Sequence, residues 1–198
     1  ITGFLANAWF LPDEPLLGFV QIPAGPFIMG SNPALDRLAY ENERWSSNRR
    51  QGTVQIDDFY IGLFEVTAAQ FRVFIAEHPD LANEVPAEIQ GDMPITNVTW
   101  PEALAYARWL QQKLENSSDT PEELRSYLAA GGQVSIPSEA EWEKAARGAD
   151  GRIFPWGNTP SAASANYGSS AMLPVGSRPC AECAFGLQDM SGNVWEIT

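Results

Sequence analysis

Ile136-Pro137-Ser138-Glu139-Ala140-Glu141-Trp142-Glu143-Lys144-Ala145-Ala146-Arg147-Gly148 divides the chain into two unlike halves. Ser138 followed three residues on by Glu141 is a capping box, in which hydroxyl and carboxylate satisfy orphan amides at a helix start reciprocally. Trp142, Ala145 and Ala146 give this helix an apolar face, and Gly148 stops it. Upstream lie short strand patterns and three more marked helices; downstream regular structure thins out. Strands, then helices, then a long irregular aromatic half is an α+β pattern.

Working upstream, Thr67-Ala68-Ala69-Gln70 is a second box. It opens a helix with Phe71, Phe74 and Ile75 on one face, ending by Pro79. Thr99-Trp100-Pro101-Glu102 is a third, followed by Ala103, Ala107, Leu110 and Leu114 at helical spacing. Thr120-Pro121-Glu122-Glu123 opens another helix, stopped at Gly131-Gly132. Phe19-Val20-Gln21-Ile22 and Phe27-Ile28-Met29 read as strands around the Pro23-Ala24-Gly25 turn, and Val54 and Ile56 alternate into a strand at Phe59-Tyr60-Ile61. Residues 31–52 read as a surface loop. Residues 1–17 read as a helical tail or linker from an upstream region, docked by Phe4, Trp9 and Phe10 and ended by Pro12 and Pro15. The domain proper is expected over 18–198.

Seven Trp and ten Phe among sixteen Gly and fifteen Pro suit a loop-rich fold pinned by aromatics. A net charge of −13, with few and scattered Lys and Arg, argues against a nucleic-acid partner. No apolar run reaches membrane-span length, so no membrane partner is expected. The start has neither Met nor signal-peptide layout, which reads as an excised or processed piece of something longer. Two cysteines make no disulfide framework, so a reducing, cytoplasmic setting is expected. Cys180-Ala181-Glu182-Cys183 reads as two reduced thiols, ahead of a labile local disulfide and of half a zinc site. His78, the one histidine, reads as a solvated helix-end residue. Glu139 and Glu143 read as structural parts of a capped first turn, and Trp142, Trp156 and Trp195 as core before groove.

The closing stretch Leu187-Gln188-Asp189-Met190-Ser191-Gly192-Asn193-Val194-Trp195-Glu196 sets two carboxylates about a Ser-Gly-Asn turn. A hard cation takes several oxygens from carboxylates and turn carbonyls. An acidic turn bonded to its own amides has the same spacing, so the residues alone leave both readings open.

Several segments in order resemble the sulfatase-modifying-factor family, the formylglycine-generating-enzyme domains. They are Ile22 to Gly30, Phe59-Tyr60-Ile61 through Glu65-Val66-Thr67 to Phe71, Pro94-Ile95 with Val98-Thr99-Trp100, Ile136 to Gly148, Phe154-Pro155-Trp156-Gly157-Asn158, and Phe185-Gly186-Leu187 through Trp195-Glu196. The resemblance implies a C-type-lectin-like fold of the formylglycine-generating subclass. It implies a calcium site at Asp189, Gly192, Val194 and Glu196, the glycine and valine acting through their carbonyls. A second family calcium site would begin at Asn166 and Tyr167, where only Gly168 to Leu173 precede Pro174-Val175 in place of the family's acidic turn. Gln112 to Gln133 looks like an insertion. Family enzymes oxidise a substrate cysteine with copper and a cysteine pair that lies downstream of Gly-Asn-x-Trp-Glu. Cys180 and Cys183 precede that segment, so no catalytic residue is carried over, and copper belongs here only if a further segment brings those cysteines.

Two functional readings follow. One is a non-catalytic module recognising a protein or small ligand, appended to a larger signalling, defence or multidomain assembly, or serving as a variable protein of a diversity-generating retroelement. The other is the N-terminal part of a copper-dependent formylglycine-generating oxidase. Either way, an unpaired sheet edge is expected.

Overall fold

The computed structural model describes residues 10–198 apart from 12, 38, 41, 42, 49 and 170; of the tail expected over residues 1–17, residues 1–9 and 12 lie outside them, and its end forms a 3-10 turn at Pro15–Gly18. Four strands, β1 (Phe19–Ile22), β2 (Gly25–Met29), β3 (Gly52–Ile56) and β4 (Phe59–Gly62), precede helices α1 (Ala68–Glu77), α2 (Trp100–Asn116), α3 (Glu122–Ala129) and α4 (Glu139–Arg147). After α4 the described residues hold only one short 3-10 turn, Ala184–Gly186. The α+β order read from the sequence is the order observed.

The pairing of the strands is less predictable. β1 runs antiparallel to β4, with Val20 opposite Ile61, and β2 antiparallel to β3, with Phe27 opposite Val54. Successive β2 and β3 thus form one ribbon while the flanking β1 and β4 form the other, so the backbone crosses between two ribbons twice, at Pro23-Ala24 and at Asp57-Asp58. Lys144 stabilises the first crossing: its buried ammonium donates to the carbonyls of Pro23 at 2.6 Å and Gly25 at 3.1 Å. Among the described residues every strand keeps one edge without a strand partner. The expected open edge is present.

The helix starts follow the capping logic at three of four positions. Thr67 Oγ accepts from the Gln70 amide while Gln70 Oε1 accepts from the Thr67 amide at 2.9 Å. Glu102 and Glu141 reach back to Thr99 and Ser138 in the same way, at 2.7 Å each. At α3 the expected cap fails. Pro121 occupies the N-cap position, and the Thr120 hydroxyl donates instead to the Leu114 carbonyl at 2.7 Å, tying α3 to the end of α2.

Two cores result. Phe71, Phe74 and Ile75 from α1 meet Tyr106, Trp109, Leu110 and Leu114 from α2 and Leu124 from α3, with Phe74 fully buried. Its ring lies edge-on to Tyr106 and tilted to Trp109, at 5.7 and 5.6 Å, a favoured aromatic geometry. The second core joins Ile22 and Phe59 to Ala145 and Ala146 of α4 and to Leu187 and Met190 of the last loop. Trp142 is only partly buried against it. α4 is fixed by Glu143, which accepts the Gly30 amide at 2.8 Å and pairs with Arg147, itself bonded to the Gly30 carbonyl. The acidic first turn of α4 thus has structural uses, as its sequence suggests.

Candidate functional site

Leu187 and Met190, both buried, anchor the last loop on the second core and hold Asp189 between them. The loop then needs left-handed backbone at Asp189, Gly192 and Asn193, with φ of 57°, 86° and 61°. At Gly192 no other residue fits: a Cβ there would stand 2.5 Å from the Asn166 carbonyl oxygen.

Asn193 is the hub of the loop. Its amide donates to the Asn166 carbonyl at 2.8 Å, and its side-chain oxygen accepts from the Leu173 amide and from Asn166 Nδ2 at 3.0 and 3.1 Å. Its Nδ2 donates to Glu65 Oε1 at 3.1 Å and to the Leu173 carbonyl at 3.3 Å. Asn166 is thereby brought against the Gly192-Asn193 turn, whereas neighbouring Tyr167 is exposed.

Three carboxyls gather around this hub. Asp189 Oδ2 accepts the Gly176 amide at 2.6 Å, and Glu196 Oε2 accepts the Trp142 indole N–H at 3.0 Å. Glu65, from the turn between β4 and α1, keeps its Oε2 sealed from solvent with no hydrogen-bond partner. Burial, and then the charge of Asp189, push the Glu65 carboxyl up to about 8. Burial likewise raises Asp189, and raises Glu196 against the pull of the Trp142 N–H. The hydrogen-bond partners of the three are amides and an indole, with no basic side chain bonded to them, so any negative field that their ionisation creates is left uncompensated. Sequence reasoning passed over Glu65 as a site residue. Its signal was a lone acid between Phe64 and Val66, just ahead of a helix cap.

That field suits a cation. Among the described residues no three or more His, Cys, Asp or Glu side chains stand close enough to chelate a metal by themselves. An ion here would therefore also draw on carbonyl oxygens of the same turn, as a hard cation does. The cysteines, by contrast, offer no copper site. Cys180 and Cys183 are bonded to one another, correcting the expectation of free thiols, because the turn that donates the Cys183 amide to the Cys180 carbonyl at 3.3 Å brings them together.

Beside the loop opens a cleft of about 790 Å³. Its walls include Tyr60 and Ile61 of β4, Val134 and Ile136 of the link into α4, and Val194 and Trp195. Trp195 is fully solvent-exposed rather than core, which corrects the sequence expectation. Trp156 stacks on Phe154 at 5.3 Å and takes no part in the cleft.

A family model, the sulfatase-modifying factor enzyme 1-like domain, matches residues 11–198. The chain belongs to this family. Hercynine oxygenase of Mycolicibacterium smegmatis is 33% identical to the domain over 90% of this chain and 44% of its own length. The inactive C-alpha-formylglycine-generating enzyme 2 of Bos taurus is 26% identical over 100% of this chain and 76% of its own. Serine/threonine-protein kinase Pkn1 of Chlamydia trachomatis is 36% identical over 93% of this chain and 28% of its own. The chain spans about half the length of the hercynine oxygenases it matches.

Two solved structures share the fold of the sulfatase-modifying-factor-like domain. CarF superposes with a TM-score of 0.59 and Treponema denticola variable protein 1 with 0.60, each at 24% identity. The alignments cover 89% of this chain in both cases, and 77% and 70% of the respective partners. The fold is the C-type-lectin-like one of the formylglycine-generating subclass. Among the described residues no helix is long and apolar enough to cross a membrane.

Proposed function

We propose that this sulfatase-modifying-factor-like domain is a non-catalytic recognition module within a larger signalling or defence protein or a retroelement variable protein. The observation that carries it is the cleft: apolar, open at its rim, and edged by the fully exposed Trp195. Apolar clefts of this size with a few convergent polar groups are the usual form of a ligand site. The match to less than a third of a protein kinase is consistent with a module carried on a signalling chain. A family branch whose name is that of an inactive enzyme is consistent with the fold serving without oxidation.

Calcium is the proposed cation of the last loop, held by Asp189 and Glu196 with the carbonyls of Gly192 and Val194, and its role is structural. It would neutralise the buried Asp189 together with Glu196 and fix the turn that forms one wall of the cleft. A second calcium at Asn166 and Tyr167 is a weaker proposal, because the Asn166 side chain and carbonyl are both engaged with Asn193.

The experiment is direct. Purified domain is loaded with Nile red, a neutral fluorophore, and a peptide library is screened for displacement. Displacement that Trp195→Ala weakens supports a recognition cleft. A cleft that no peptide enters, together with conversion of a cysteine-containing substrate peptide to formylglycine by the full-length protein with copper, would replace this reading with the oxidase alternative. Relatives named formylglycine-generating enzyme keep that alternative in view.

A further inference from the structure

We infer that the Cys180–Cys183 bond is a redox latch on the last loop. Oxidised, it holds that loop in place; reduced, it lets the loop open while the two cores stay folded. The latch stands whether or not the cleft takes a ligand.

The bonded pair sits at the entrance to the loop and is joined to it residue by residue. The Gly186 amide donates to the Cys183 carbonyl at 3.2 Å, and the Leu187 amide to the Ala184 carbonyl at 3.3 Å. Leu187 is fully buried in the second core, and the Gln188 amide reaches the Leu63 carbonyl at 3.2 Å. Between the bond and Leu187 the backbone is left-handed at Phe185 and Gly186, with φ of 58° and 74°. Gly186 accepts this freely, whereas the Cβ of Phe185 opposes it. A cross-link directly upstream restricts the extended alternatives that Phe185 would otherwise take.

The bonded turn is also tied to the end of α4 and the aromatic turn beyond it. The Ala184 amide donates to the Pro155 carbonyl at 3.1 Å, and a Cβ on Gly148 would lie 3.3 Å from the Ala184 methyl. Arg152 Nη1 donates to the carbonyls of Pro155 and Glu182 at 2.9 and 3.1 Å, so its guanidinium stands against the disulfide ring itself.

Ring size separates a latch from a staple. The cysteines are 3 residues apart, and the entropy that a cross-link removes from the unfolded chain grows with the ring it closes. This bond therefore adds little to global stability. Both cysteines are buried, yet neither is a member of either core cluster. The Cys183 amide donates to the Cys180 carbonyl whether or not the sulfurs are joined, which keeps reduced thiols adjacent and able to close again. A guanidinium beside them favours the thiolate, the form that enters exchange. Ala181 and Glu182 are exposed, so the ring is approached from solvent, and the shielded sulfurs confine exchange to moments when the turn opens.

The reductant is a dithiol. Its thiolate attacks one sulfur to form a mixed disulfide, and its second thiolate then resolves that intermediate. The chain's S–S bond breaks as the reductant's forms, and two electrons and two protons pass to the chain, leaving two thiols.

The test is hydrogen exchange, read by mass spectrometry on the full-length protein in EDTA. The protein is measured oxidised, then reduced with dithiothreitol, then reoxidised with glutathione disulfide. Reduction is expected to speed exchange at the Gly186, Leu187, Gln188 and Asn193 amides about tenfold or more while leaving α1 and α2 unchanged. Reoxidation should restore the slow rates. A Cys180→Ser/Cys183→Ser variant should behave as the reduced parent and ignore the reductant. Equal exchange over residues 184–193 in both states overturns the latch. Faster exchange in α1 and α2 as well makes the bond a structural staple and overturns it too. So does a bond that dithiothreitol leaves intact without denaturant, or a thiol pair that glutathione disulfide does not reclose.

Discussion

Replacing Glu65 by glutamine tests the buried negative field most cleanly. The amide keeps the side chain's shape and the oxygen that accepts from Asn193 at 3.1 Å. It removes a charge held up to about 8 from the ordinary 4.5, chiefly by burial and then by Asp189. A gap of about 3.5 pH units, at ~1.4 kcal/mol per unit, sets a ceiling of ~5 kcal/mol on the cost of ionising Glu65 in the fold. Rearrangement and entering water reduce such penalties, so about 2–3 kcal/mol is the working figure. The sign follows from proton counts. Between about pH 4.5 and 8 the folded chain holds a proton that the unfolded chain has released, so stability falls as pH rises through that window and levels off above it. Urea unfolding in EDTA at pH 5 and pH 9 measures this. Glu65→Gln should match the parent at pH 5 and exceed it by about 2–3 kcal/mol at pH 9. Any fixed cost of seating the amide cancels in the difference between the two pH values. A variant no better than the parent at pH 9, relative to pH 5, refutes the reasoning.

Three further outcomes are expected. Calcium at about a hundred times its dissociation constant should stabilise the domain by ~2.7 kcal/mol, and Asp189→Asn should erase the shift in a melting assay. Gly192→Ala, which drives a methyl to 2.5 Å from the Asn166 oxygen in a left-handed backbone, should cost more than about 2 kcal/mol in chemical denaturation and loosen the loop to protease. Phe74→Ala should cost about 3–5 kcal/mol by the same measurement, because the ring is fully buried among Phe71, Tyr106 and Trp109.

Local chemistry was legible in the sequence, and distant pairing was not. The boxes at Thr67, Thr99 and Ser138 are complete within four residues, so their helices could be read directly. Thr120 misled because its hydroxyl had a better offer six residues back, at Leu114, than at its own helix. The strands lay where β-rich runs placed them, but which ribbon each joined depends on contacts such as Lys144 with Pro23. At the candidate site the spacing of Asp189 and Glu196 was readable, and the left-handed turn followed from Gly192-Asn193. Glu65 lies 128 residues before Asn193, its hydrogen-bond partner, and no local pattern joins them. Cys180 and Cys183 show the opposite error: composition argued for thiols, while a tight local turn decided for a bond.

The lysine that closes the first crossing has a consequence for synthesis. Lys144 lies 121 residues beyond Pro23, whose carbonyl it caps. At about 5–20 residues per second, a ribosome needs roughly 6–24 seconds to make that stretch. Throughout that interval the corner at Pro23 exists without its clamp, and α4 with its share of the second core is still missing. The first strands therefore leave the exit tunnel with apolar side chains uncovered, and the second core cannot close until the fourth helix arrives.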